Sequence, residues 1–82
     1  MAAELTIEQT SKLIDTVART SSHAARDIAL STRFADDLGL DPQGLDKLYG
    51  RVQSEFGVTL ADAQAGRLRT VGDLAEAIAG KL

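Results

Sequence analysis

Acidic side chains near the middle of the chain are the first candidates for chemistry. Four aspartates occur close together there: Asp36, Asp37, Asp41 and Asp46. Clustered carboxylates can bind calcium, but the helix–loop–helix calcium template needs glycine at its sixth position and glutamate at its twelfth. A loop that begins at Asp37 would place Pro42 and Leu48 at those positions. We therefore expect these acids to cap a helix and to face solvent, and we expect no metal site.

A hydroxyl lies beside the single histidine in the sequence, at Ser22 and His23. Nucleophilic catalysis also needs an orienting carboxylate and an oxyanion hole, and no pattern in the sequence supplies them. The glycines fit neither nucleotide-binding fingerprint. The chain has no cysteine, which excludes thiolate metal sites. The sequence thus predicts no catalytic residues and a protein that is not an enzyme.

Length and composition predict a single domain over residues 1–82. Hydrophobic residues make up 44% of the chain, enough for a core, and aromatic residues only 4%, so the core must be mostly aliphatic. The net charge of −3 argues against nucleic acid and anionic membranes as partners, because both require a basic surface. The start of the chain lacks the pattern of a signal peptide. We expect a cytoplasmic protein that is a monomer when free.

The elements that must position these side chains begin with a helix after Thr6. Thr6 and Gln9 fit a capping box, in which each side chain bonds the backbone N–H of the other residue. The helix is expected to run to about Thr20. Its apolar stripe comprises Ile7, Leu13, Ile14, Val17 and Ala18.

A second helix is predicted directly after the acidic stretch. Asp41 can cap it, Pro42 suits the first helical position, and Gly57 suits the position just past its end. Its inward face is predicted from helical spacing to be Leu45, Leu48, Tyr49, Val52 and Phe56.

The rest of the chain adds a last helix and two connections. A long connection over residues 21–40 is expected to contain a short helical turn, at 25–29 or 33–38. A short helix is predicted at about residues 61–66, and Thr70 caps a last helix that ends at Gly80. The fold class is therefore all-α, a small bundle of three main helices plus a short helix that comes third in the chain.

Several of these segments resemble the acyl carrier protein family. The matching stretches are Phe34 to Asp41, which reads FADDLGLD, the second helix ending at Gly57, and Thr70 to Leu74, which reads TVGDL. The resemblance covers nearly the whole chain. It implies a right-handed helical bundle and a place in fatty acid or polyketide biosynthesis.

The chain departs from the family pattern at its most informative position. The family reads Asp-Leu-Gly-x-Asp-Ser-Leu, and its serine carries phosphopantetheine. Here Asp37 to Gln43 reads DLGLDPQ, which puts Pro42 at the serine position, and no serine or threonine lies between Arg33 and Gln53. A phosphodiester needs a hydroxyl, which proline lacks. We therefore expect no phosphopantetheine and no cofactor-binding residues.

The outer face of the second helix also differs from the family. That helix is usually acidic in the family and docks on basic patches of enzymes, whereas here Lys47, Gly50 and Arg51 face outward. The predicted partner-binding surface is the loop end and this face: Asp36, Asp37, Asp41, Gln43, Lys47, Gly50 and Arg51. The resemblance further implies an acyl-chain space beside this helix, which Leu45, Tyr49 and Leu60 are placed to line or to fill. That Tyr49 fills it is a hypothesis, and an open apolar channel beside Tyr49 would contradict it.

Two functions follow from this reading. The first is a non-catalytic carrier-like domain that has lost the attachment serine and binds an acyl-processing or biosynthetic enzyme noncovalently. The alternative is a working acyl or aminoacyl carrier protein of lipid or secondary metabolism with an unusual attachment. A small nucleic-acid-binding helical domain is disfavoured by the acidic composition.

Overall fold

The computed structural model describes residues 4–61 and 65–82. Its helices are α1 (Ile7–Ser21), a 3₁₀ turn (Ala25–Asp27), α2 (Pro42–Phe56) and α3 (Val71–Ala79). The only strand pairing in the described ranges is one antiparallel bridge, between Arg33 and Thr70. The predicted all-α class is thus confirmed. No helix in these ranges is long and apolar enough to cross a membrane.

Local capping chemistry sets the ends of the helices, as the sequence predicts. At α1 the Thr6 hydroxyl accepts from the Gln9 N–H (3.1 Å), and the Gln9 side chain accepts from the Thr6 N–H (2.9 Å). Thr70 and Asp73 make the same reciprocal pair at α3. Helix α2 ends at Gly57, whose φ of 65° lies in the left-handed region that glycine adopts without strain.

The core is mostly aliphatic, again as predicted. Among the described residues, its fully buried side chains come from α1, α2, α3 and the first connection: Leu13, Val17, Phe34, Leu48, Val52, Val71, Leu74 and Ile78. Ile7 does not join them, because it is the first residue of α1, beyond the end of the core, and is 89% exposed. The expectation that Ile7 belongs to the buried stripe is therefore wrong.

The long first connection is pinned to the start of α3 by backbone hydrogen bonds. The Gly72 N–H donates to the Leu30 carbonyl (2.7 Å), and the Val71 N–H donates to the Thr32 carbonyl (3.0 Å). A Cβ atom on Gly72 would lie 2.9 Å from the Leu30 oxygen, so this close approach requires glycine. These bonds fix the position of the connection, which leads to the start of α2, relative to α3.

The predicted short helix at 61–66 falls partly outside the described residues, because 62–64 are not among them. At its two ends, the Ala65 N–H donates to the Ala61 carbonyl over 2.9 Å. The Ala65 carbonyl in turn accepts from the Tyr49 hydroxyl (3.2 Å). Ala65 is therefore held against α2.

Candidate functional site

The start of α2 is an exposed helix terminus formed by Asp41 and Pro42. The Asp41 carboxylate accepts from the Gly44 N–H over 2.7 Å, and Pro42 occupies the first helical position. A free helix start attracts anions through its N–H groups. Here the first helical position is proline, which has neither an N–H nor a hydroxyl. Position 42 therefore offers a phosphate neither a hydrogen-bond donor nor an atom for attachment.

The loop acids before α2 are held by Arg33. Asp36 forms an ion pair with the Arg33 guanidinium at 3.3 Å. Asp37 lies 3.8 Å from the Arg33 Nε and accepts from the Arg33 backbone N–H at 2.8 Å. Both acids are exposed, so their carboxylates remain accessible while their positions are fixed.

The outer face of α2 carries the remaining predicted residues. Gln43, Lys47, Gly50 and Arg51 are all exposed. The structure thus brings Lys47, Gly50 and Arg51 together on one helical face, one turn apart, while Gln43 lies in the first turn of α2, beside Asp41. No described ion pair joins these cations to the loop acids, so the acidic loop and the basic face remain separate.

An open groove runs along α2 between this helix and the segment that follows it. Its volume is about 460 Å³, and its lining includes Leu45, Tyr49, Leu60, Ala65 and Leu68, with Pro42 at its edge. Burial raises the pKa of the Tyr49 hydroxyl, and the nearby Asp46 carboxylate adds to the effect. Tyr49 lines this groove and is itself buried, and its hydroxyl donates to the Ala65 carbonyl.

One interhelical contact near this face has no signal in the sequence. The Lys12 amine of α1 donates to the Glu55 backbone carbonyl (2.6 Å), lies 3.8 Å from the Glu55 carboxylate, and sits 5.0 Å from the Phe56 ring centroid. Helical periodicity shows only that Lys12 lies outside the apolar stripe of α1, and it does not identify the contact. The contact depends on how α1 crosses α2, which the sequence alone does not reveal.

The fold and the site together define a class of protein: a small helical domain with a pinned first connection, an exposed start of α2 and an open groove beside that helix. A family model described as a phosphopantetheine attachment site matches residues 11–78. An acyl carrier protein from Rickettsia bellii (strain RML369-C) is 32% identical over 68 residues, covering 83% of this chain and 77% of that protein. The chain belongs to the acyl carrier protein family.

Solved structures agree with this assignment. The acyl carrier protein of the actinorhodin polyketide synthase in Streptomyces coelicolor is known in solution in its hexanoyl and 3,5-dioxohexyl forms. Both are 31% identical to this chain, cover 100% of it and 95% of the carrier, and superpose with TM-scores of 0.72 and 0.71. Proteins of this family are carriers rather than catalysts, and they interact with biosynthetic enzymes.

The expectation that no cofactor belongs to this protein is wrong. The matching family carries a covalently attached phosphopantetheine, and the relatives are acyl carrier proteins, so phosphopantetheine is the cofactor of this family. The residues at the start of α2 nevertheless do not fit attachment at position 42. Pro42 offers no hydroxyl, and residues 33–53 contain no serine or threonine.

Proposed function

We propose that this chain is a non-catalytic domain of the acyl carrier protein family that binds an acyl-processing or biosynthetic enzyme noncovalently. It acts in the cytoplasm, is a monomer when free, and has Pro42 at the position where the family has its attachment serine. The binding surface is the predicted set: Asp36, Asp37, Asp41, Gln43, Lys47, Gly50 and Arg51.

The exposure of this surface is the observation that carries the proposal. All seven side chains or glycine positions are exposed, although they come from both the loop and α2. The loop acids are fixed by Arg33, and Asp41 is fixed as the cap of α2. The three acids of this surface are therefore held by contacts before a partner binds, which lowers the conformational entropy that they lose on binding. This arrangement supports recognition of a folded enzyme surface.

Affinity capture with quantitative mass spectrometry tests the proposal. The full chain is immobilised, and the captured proteins are compared with those retained by the double variant Lys47→Glu, Arg51→Glu. We expect the wild type to retain an acyl-processing or biosynthetic enzyme. The variant is expected to retain about tenfold less of it, because two favourable rim charges become unfavourable.

The matched control is Lys81→Glu, which reverses a charge in the exposed tail after α3. This control should retain the enzyme as well as the wild type does. Equal retention by the Lys47, Arg51 double variant would show that the surface is assigned wrongly. Capture of no such enzyme by any of the three proteins would contradict the function itself.

A working acyl carrier is the second candidate, and the open groove beside Tyr49 favours it. In that case the arm must be attached to a serine or threonine hydroxyl outside residues 33–53. Incubation of the wild-type chain with coenzyme A and a phosphopantetheinyl transferase, followed by intact-mass measurement, separates the two candidates. A gain of one phosphopantetheine, mapped by peptide analysis to such a hydroxyl, would favour this second function.

A further inference from the structure

The outer face of α2 continues onto α1 through Arg19. On α2 the exposed residues Lys47, Arg51 and Ser54 recur at helical spacing. Arg19, in the last turn of α1, lines the same depression of about 200 Å³ as Arg51 and Ser54. We call Arg19, Lys47 and Arg51 the basic face. The partner surface predicted from the sequence does not include Arg19, because Arg19 reaches this face only through the crossing of α1 and α2.

The three cations of the basic face have no carboxylate within ion-pair distance among the described residues. The ion pairs in those ranges are Lys12 with Glu55, and Arg33 with Asp36 and Asp37. Glu55 is the acid that also lines the depression, and Lys12 engages both its carboxylate and its backbone carbonyl. The guanidinium donors of Arg19 and Arg51 therefore remain available to an external acceptor.

Gly50 lies beside the basic face on α2, three residues after Lys47 and four before Ser54. A Cβ atom at Gly50 would meet nothing within 4 Å, so no internal contact requires glycine here. Glycine at an exposed helix position costs about 0.5–1 kcal/mol relative to alanine. The residue thus weakens the helix while it lets an external surface approach the α2 backbone closely.

We propose that the basic face docks an acidic helical segment of a protein partner. This inference rests on the proposed function and specifies the chemistry of the partner. Lys47 and Arg51 lie one turn apart, which matches carboxylates one turn apart on a partner helix. The two cations on α2 lie about 6 Å apart along the helix axis, and Arg19 adds a third cation from the neighbouring helix.

The carboxylates at the start of α2 disfavour a larger polyanion. Asp41 caps the helix and Asp46 lies in its second turn, and both are exposed. A nucleic acid or an anionic membrane lying along α2 would meet these carboxylates as well as the cations. A short acidic helix can contact the basic face alone, so charge complementarity favours a protein segment.

Two synthetic helical peptides test this inference by nuclear magnetic resonance on the ¹⁵N-labelled full chain. One contains glutamates four residues apart in an alanine background, and the other has lysines at the same positions. We expect the glutamate peptide to shift the amide signals of Arg19, Lys47, Gly50 and Arg51, and the lysine peptide to leave them unchanged. Added salt should weaken the glutamate interaction.

Variants of the basic face complete the test. The double change Arg19→Glu, Arg51→Glu should weaken binding of the glutamate peptide about tenfold, whereas Lys81→Glu should not change it. If the charge-reversed variant loses its dispersed spectrum, Arg19→Gln, Arg51→Gln is used in its place and should weaken binding in the same direction.

Three results would overturn the inference. They are equal shifts from both peptides, shifts confined to residues outside the basic face, and the same shifts produced at equal concentration by inorganic phosphate or by phosphatidylglycerol vesicles. Any of them would leave the proposed function standing if enzyme capture succeeds. Conversely, binding of the glutamate peptide at the basic face without enzyme capture would uphold the acidic partner and contradict the proposed function.

Discussion

Side chains at the helix starts bond the backbone N–H groups there, and Asp73 at the start of α3 is an example. Its carboxylate accepts from the backbone N–H groups of Arg69 (3.0 Å) and Thr70 (3.2 Å). The bond from Arg69 is the main cause that holds the pKa of Asp73 below its usual range, and the bonds from Thr70 add to it. The charged form of Asp73 therefore favours the folded state.

The lowered pKa of Asp73 predicts how stability changes in acid. Because the pKa is lower in the folded chain, this contribution is present above the unfolded value of about 3.9 and is lost as the pH falls through the folded value. Asp73→Asn should lower the urea midpoint at neutral pH and should reduce the further loss of stability in acid. Urea unfolding at neutral pH and at an acidic pH below the unfolded value measures this effect.

A change on the exposed surface of α1 provides the control for this prediction. Asp15→Asn removes one carboxylate that makes no described hydrogen bond or ion pair, so it should leave the neutral-pH midpoint nearly unchanged. If Asp73→Asn behaved like Asp15→Asn at every pH, the role of the Asp73 cap would be refuted.

At the scale of elements, two helical glycines have opposite structural roles. Gly50 meets nothing within 4 Å, whereas a Cβ atom on Gly72 would collide with the Leu30 carbonyl at 2.9 Å. Gly50→Ala should raise the free energy of unfolding by about 0.5–1 kcal/mol, because alanine favours the helix. Gly72→Ala should lower it by about 1–3 kcal/mol, because the first connection must move away from α3.

Chemical denaturation of the two alanine variants checks this pair, and each variant serves as the control for the other. Both changes add one methyl group to a helix, so a general effect of alanine would move both midpoints in the same direction. Stabilisation of both variants would show that the contact between Leu30 and Gly72 does not hold the connection in place.

The elements themselves were predictable because their ends depend on neighbours in the sequence. The capping pairs at Thr6 and Thr70, and the start of α2 at Asp41, all involve residues within a few positions of one another. Features that depend on packing between elements could not be predicted. Periodicity gave no sign that Lys12 contacts the end of α2 or that Arg19 joins the outer face of α2.

At the scale of the whole molecule, charge is segregated within a small surface. Residues 33–46 contain one arginine and four aspartates, whereas the basic face has three cations with no described carboxylate partner. The net charge of −3 is therefore unevenly distributed, with an acidic region before and at the start of α2 and a basic region on its outer face. An enzyme that docks here must present charges of both signs, which makes recognition depend on orientation as well as on affinity.

Position 42 is where the sequence of this chain and the chemistry of its family disagree. The chain belongs to a family with covalently attached phosphopantetheine, yet the first residue of α2 is proline. A resemblance to the family motif suggests the correspondence of Pro42 with the attachment serine, and the open groove lies directly beside it. This correspondence separates the two candidate functions, because a carrier with this helix start must use a different hydroxyl.

The most direct test of this correspondence is to restore a hydroxyl. Pro42→Ser and Gln43→Ser are each incubated with coenzyme A and a phosphopantetheinyl transferase that loads an ordinary acyl carrier protein in parallel, and modified peptides are mapped by mass spectrometry. Pro42→Ser should gain one phosphopantetheine at residue 42, and Gln43→Ser should gain none at residue 43. A Pro42→Ser chain left unmodified at residue 42, or modification of Gln43→Ser at residue 43, would contradict the assignment of Pro42 to the attachment position.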